Sequence, residues 1–226
     1  MKILAIDTAT EACSVALLEQ DNCHEIFEII PRQHTERVLP MVDELLKAHG
    51  TALSEIDAIS YNCGPGSFTG VRVGTSVAQG LAFSCHIPVI PVSSLAALAQ
   101  LAFREDKKEK VLSAIDARMN ELYWGCYELK SGLMKLVSEE KVSPVSEIKK
   151  QGEWHCLGNG WDTFETELNK SKLVNITSYS NQCFPHAKDI AVLAADLYLN
   201  NKMIRAEDAL PSYIRDEVTW KKLKDQ

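Results

Sequence analysis

Apolar positions in the first thirty residues come in short alternating runs and predict three strands. Lys2–Ile6 is β-rich and closes at Asp7-Thr8-Ala9-Thr10; Cys13–Glu19 resumes, Asp21-Asn22 turns, and His24–Ile30 makes the third. Tight turns between them predict an antiparallel meander. Pro31 ends the third strand, and the period becomes helical from about Thr35 to His49, with Gly50 closing the helix and Pro40 bending its first turns. Val38, Leu39, Met41, Val42, Leu45, Leu46 and His49 sweep nearly half its circumference. One core contact needs only a stripe of about 100°. The excess predicts either deep burial or a second apolar contact on a partner chain.

Asp57–Cys63 reads as a strand leading into the stretch around which the chain is organised, Gly64-Pro65-Gly66-Ser67-Phe68-Thr69-Gly70-Val71-Arg72-Val73-Gly74 and onward to Phe83. The glycines flanking Pro65 suit a sharp turn, and Ser67 is placed to cap a helix. Gly70, Gly74, Ala78 and Ala82 fall four apart and make a ridge almost without side chains; Val73, Val77 and Leu81 adjoin it. A helix-interior glycine costs about 1 kcal/mol relative to alanine. Three of them, Gly70, Gly74 and Gly80, predict a close neighbour: a phosphate, a strand or a second protein. The phosphate motifs fail on spacing. No Lys-Ser/Thr follows as in a P-loop, Gly66 and Gly70 have three residues between them where the dinucleotide fingerprint needs two, and Pro65 stands where a nucleophile elbow needs glycine. Ile87–Val92, with two prolines, predicts a strand end or edge, parallel to its predecessor through a right-handed crossover. Ser93 or Ser94 caps a helix over Leu95–Phe103.

The charged loop Arg104–Lys110 then divides the pattern, and Val111–Asp116 begins what reads as a second copy. Without gaps, Ile6-Asp7-Thr8-Ala9-Thr10 lies over Ile115-Asp116-Ala117-Arg118-Met119, and Cys13–Glu19 over Leu122–Glu128. A strand over Lys135–Val142, another over Glu153–Leu157 entering Gly158-Asn159-Gly160, a helix from about Trp161, a β-rich piece at 174–176 and a helix over Ala187–Leu199 complete it. The expectation is a two-lobed α/β chain divided into 1–104 and 105–226. Asp7 and Asp116 end the first strand of each lobe, where a carboxylate either helps hold a metal-bound phosphate or makes an Asx-type turn.

Composition narrows the function classes. A chain of 226 residues, 46% hydrophobic and 24% charged, has ample length for a core. Its net charge of −7 argues against tight autonomous binding to nucleic acid, which needs a positive footprint; the basic patch at Lys221, Lys222 and Lys224 is the one local exception. Seven scattered cysteines without a CxxC pair predict reduced intracellular thiols. Neither a signal peptide nor an apolar run of membrane-spanning length is legible, so a soluble cytoplasmic protein is expected. The six histidines never stand at i, i+4, which removes a helical metal pair. Ser67 and Thr69 read as capping residues, not nucleophiles.

The duplicated β-β-β-α-β-α pattern with acidic strand ends resembles the actin/sugar-kinase/heat-shock ATPase superfamily. More specifically, Ile6-Asp7-Thr8-Ala9-Thr10, His34-Thr35-Glu36-Arg37, the Gly64–Gly74 stretch, Ile115-Asp116-Ala117-Arg118 and Pro211-Ser212-Tyr213-Ile214-Arg215 together resemble the TsaB (YeaZ) family over the whole chain. That resemblance implies a cytosolic, non-catalytic partner of TsaD in making threonylcarbamoyladenosine on tRNA. TsaC supplies threonylcarbamoyl-adenylate, TsaD transfers the group, and the ATPase TsaE engages the TsaB–TsaD pair. TsaD carries an HxxxH metal pair where this chain has Ser94 and Leu98, neither an iron nor a zinc ligand, so transfer chemistry is expected to be absent. An M22-type metallopeptidase reading fails on the same positions. Association in the family uses the two N-terminal-lobe helices, which implies Leu39, Val42, Leu45, Leu46, Gly70, Val71, Gly74, Ala78 and Ala82 as the surface for TsaD, or for a second copy when the chain is alone. No cofactor is expected except ATP or ADP with magnesium in the assembled complex. The alternative is a magnesium-dependent ATPase or kinase-like enzyme using Asp7 and Asp116.

Overall fold

The computed structural model describes residues 1–148, 153–161, 175–180 (backbone only) and 183–215. The first sheet contains β1 (Lys2–Asp7), β2 (Ala12–Glu19), β3 (Asn22–Ile29), β4 (Ala58–Gly64) and β5 (Val89–Ser93) in the order β3-β2-β1-β4-β5. The expected meander is present, antiparallel from β1 to β3, and β4 and β5 extend the sheet in parallel. β5 lies at the end of that order, a position that tolerates Pro91.

Period-two alternation sorts β1 between two cores. Leu4 and Ile6, with Val15 and Leu17 of β2, face a layer made by α1 (His34–Ala48) and α2 (Phe68–Cys85). Ile3 and Ala5, with Ala16 and Leu18, face α4 (Ala187–Leu199) through Ala187, Ile190, Ala191 and Ala194. The C-terminal helix therefore returns to cover the first sheet.

The second sheet repeats the plan: β6 (Lys110–Asp116), β7 (Leu122–Lys130), β8 (Leu133–Leu136), β10 (Glu153–Leu157) and β11 (Asn175–Ser180) in the order β11-β10-β6-β7-β8, with β9 (Lys141–Ser143) also on β7. Its antiparallel and parallel pairings mirror those of the first sheet. This is the duplicated arrangement of the actin/sugar-kinase/heat-shock ATPase fold. The strand expected over Lys135–Val142 is two strands on opposite ends of β7. Between them lies Glu140, whose carboxylate accepts bonds from the Ser93 and Tyr127 hydroxyls.

α3 (Ser94–Asp106) starts at Ser93, whose Oγ accepts from the N–H groups of Leu95 and Ala96. Leu95, Leu98 and Ala99 pack on Val111, Ile115 and Tyr127 of the second sheet. Thus α3 and α4 lie between the sheets. Arg104 fastens one to the other, donating from Nε and Nη2 to the two oxygens of buried Asp189 at 2.9 and 3.0 Å. Beyond Trp161 the expected helix lies outside the described residues, as do Lys221, Lys222 and Lys224. Among the described residues no helix is long and apolar enough to cross a membrane.

Candidate functional site

Both strand-end acids make the Asx turn. Asp7 Oδ1 accepts from the Ala9 N–H at 2.9 Å, and Asp116 Oδ1 from the Arg118 N–H at 2.8 Å. The gap-free overlay of the two copies holds down to that bond. Their surroundings then diverge. Asp7 is fully buried, and Asn62 Nδ2 donates to the same Oδ1 at 2.7 Å. Asn62 Oδ1 accepts from the Gly64 N–H at 2.9 Å and from Ser94 Oγ at 2.5 Å, which closes a network across the ends of β1 and β4 and the start of α3. Burial pushes the Asp7 carboxyl up to about 7, against the lowering bonds from Ala9 and Asn62. Its Oδ2 has no hydrogen-bond partner. Asp116, half-buried, is held by Arg118 Nη1 at 3.0 Å.

The group that the superfamily implies here, a magnesium-bound nucleotide, does not fit these residues. A cation site needs an ionised carboxylate with further oxygen ligands and an open position. Asp7 is enclosed and has an amide on the oxygen that is already bonded. Among the described residues no three His, Cys, Asp or Glu side chains are grouped to hold a metal. Ser94 is committed to Asn62, and Leu98 is buried in the core between α3 and the second sheet. A cleft of about 510 Å³ lies elsewhere, between the end of α2 and residues 203–207.

The second candidate is the helix pair α1–α2. Ser67 caps α2 as expected, its Oγ accepting from the Gly70 N–H at 3.3 Å. The small ridge, however, faces the chain's own β1–β2 turn. A Cβ on Gly70 would stand 2.1 Å from the Thr8 carbonyl oxygen, and one on Gly74 2.7 Å from Thr8 Oγ1. Thr8 Oγ1 in turn donates to the Gly70 carbonyl at 2.6 Å. Val71, Ala78 and Ala82 are buried, as are Val42, Leu45 and Leu46 of α1. Of the nine residues expected to form the partner surface, eight are buried within this chain and only Leu39, 48% exposed, faces outward. Deep burial against the sheet explains the wide arc of α1.

What α1 and α2 do present outward is different. Gly80 is exposed, and a Cβ there would meet nothing within 4 Å. Ser76 and Ser84 are exposed a turn to either side, and Val73 and Val77 are half-buried beside them. Sequence reading singled out Gly80 as costly but placed it with glycines that serve an internal contact.

The profile described as "TsaD: tRNA N6-adenosine threonylcarbamoyltransferase" matches residues 17–223. A curated Escherichia coli (strain K12) protein, tRNA threonylcarbamoyladenosine biosynthesis protein TsaB, is 42% identical over 99% of this chain and 98% of its own length. The Haemophilus influenzae protein of the same name is 42% identical over 99% of this chain and 97% of its own. The chain belongs to the TsaB (YeaZ) family. A crystal structure described as YeaZ from Pseudomonas aeruginosa superposes with a TM-score of 0.85 at 43% identity, covering 94% of this chain and 99% of that one. A second, described as an uncharacterized protein with similarity to peptidase YEAZ from the same organism, gives 0.89 at 44% identity over 95% and 99%.

Within this TsaB-family chain, sequence reading missed Asn62 and Glu140 as well as the Arg104–Asp189 pair. Asn62 had a signal, an amide in a strand that is buried almost throughout. Glu140 and Asp189 had none, because Ser93 and Arg104 lie 47 and 85 residues from them.

Proposed function

We propose that this chain acts in tRNA threonylcarbamoyladenosine biosynthesis as a non-catalytic subunit that pairs with TsaD and activates it. The carrying observation is Gly80. A glycine inside a long helix costs about 1 kcal/mol, yet this one makes no close contact within its own chain. Flanked by Ser76 and Ser84, it leaves a bare strip on which a partner helix can approach at backbone distance. Leu39 and Pro40 of α1, which packs beside α2, are exposed as well. The enclosed Asp7 and the Asn62–Ser94 network support the non-catalytic part.

On this reading the chain is cytoplasmic, forms a homodimer through the same face when alone, and meets TsaE, the TsaC product and tRNA through the TsaD complex. ATP or ADP with magnesium enters only in that complex. The proposed division into 1–104 and 105–226 falls in the last turn of α3, not in a loop, and α4 from the second part packs on the first sheet. Titration calorimetry of the isolated chain with magnesium-ATP tests the ATPase alternative. We expect no saturable heat, whereas a stoichiometric site lost in Asp7→Asn would restore that alternative. Elemental analysis should likewise find no stoichiometric iron or zinc; one tightly held metal per chain would overturn the non-catalytic assignment.

A further inference from the structure

The segment Leu210-Pro211-Ser212-Tyr213-Ile214-Arg215 is bound at both ends, to different sheets. On the first sheet, Tyr61 Oη donates to the Leu210 carbonyl at 3.1 Å, and the Ser212 N–H donates to the Cys63 carbonyl at 2.7 Å. The Ser212 carbonyl oxygen lies so close to Gly64 that a Cβ there would stand 3.1 Å from it, and Gly64 also has φ of +106°. On the second sheet, Ile214 packs into the core that contains Ile115 and Tyr127. Arg215 pairs with Glu121 in the β6–β7 turn, and its Nη1 lies 3.5 Å from Met119 Sδ.

The position of the first anchor gives the segment a task. Cys63 and Gly64 end β4 and directly follow Asn62, whose side chain receives the Gly64 N–H and donates to Asp7. We propose that residues 210–215 form an interlobe strap, fastened by Arg215 on Glu121, whose closure over the end of β4 seals the Asp7–Asn62 network from solvent. Without the strap the Cys63 carbonyl loses its partner and Gly64 loses its cover. Of the two anchors the Arg215–Glu121 pair is the one made by side chains alone, so it can be cut without touching β4.

The test uses the full chain with Glu121→Gln, Arg215→Gln and the swap Glu121→Arg with Arg215→Glu. Two readouts report on the covered end: hydrogen exchange of the Ser212 amide, and peptide-resolved alkylation of Cys63 by iodoacetamide. Buried Cys13 and Cys126 are internal controls. Loss of one charge-assisted bond should speed both readouts about tenfold, leave Cys13 and Cys126 unchanged, and be reversed by the swap. Unchanged rates in the folded single variants would overturn the strap. So would an equal rise at Cys13 and Cys126, which would mean general loosening, or a swap that restores nothing.

Discussion

Thr8 determines what two of the glycines in α2 are for. Its carbonyl and hydroxyl occupy the space that side chains at Gly70 and Gly74 would need, and its hydroxyl bonds the Gly70 carbonyl. Gly74→Leu should therefore act on folding. Overpacking of this kind costs about 1–3 kcal/mol, or roughly 2–4 °C of melting temperature per kcal/mol in a chain of this size. Thermal denaturation should show that loss, and the folded fraction should keep its affinity for TsaD. Asp7 gives a pH signature. Its folded value of about 7 stands above the usual carboxylate range, so the native state holds the proton more tightly than the unfolded one. The stability this contributes is complete below about pH 4 and is lost as pH rises through about 7. Asp7→Asn removes the titration while keeping an acceptor for Ala9 and Asn62. Urea unfolding should find the variant more stable than the parent at pH 8, by on the order of a few kcal/mol, with the advantage gone at pH 4. An equal difference at both values would place the cause elsewhere.

Elements were legible where the hydrophobic period was local. The β1–β3 meander, α1, the Ser67-capped α2 and the Asp7/Asp116 repeat all follow from alternation, proline and glycine placement, and turn chemistry. The pairing of elements was less so. Nothing in the pattern of Ala187–Leu199 states that it covers the first sheet, because its apolar face fits any sheet face of similar width. The ridge of α2 was legible as a close approach, but not as an approach to Thr8 sixty-two residues away. The junction these elements make is testable at Arg104, which neutralises Asp189 in the first turn of α4. Arg104→Ala leaves that carboxylate buried and unpaired, a change that typically costs about 3–5 kcal/mol. Since Arg104 keeps some contact with water, the lower end is expected in chemical denaturation, with much of the loss recovered by adding Asp189→Asn.

At the scale of the whole molecule, the proposed pairing draws on the acidic balance and the outward face of α1–α2. A net charge of −7 predicts that the isolated chain binds tRNA weakly and loses that binding with modest salt. Submicromolar, salt-resistant binding in a filter assay would mean that an RNA contact lies on this chain itself. The pairing claim rests on Gly80, and one comparison tests it most directly: the affinity for TsaD and the melting temperature of Gly80→Leu against the parent. Leucine is the better helix former by about 0.8 kcal/mol and has open space to occupy, so the melting temperature should hold or rise. Affinity should fall about tenfold or more, corresponding to about 1.4 kcal/mol of lost close approach. Native affinity in the well-folded Gly80→Leu chain would contradict the assignment of this helix face to TsaD.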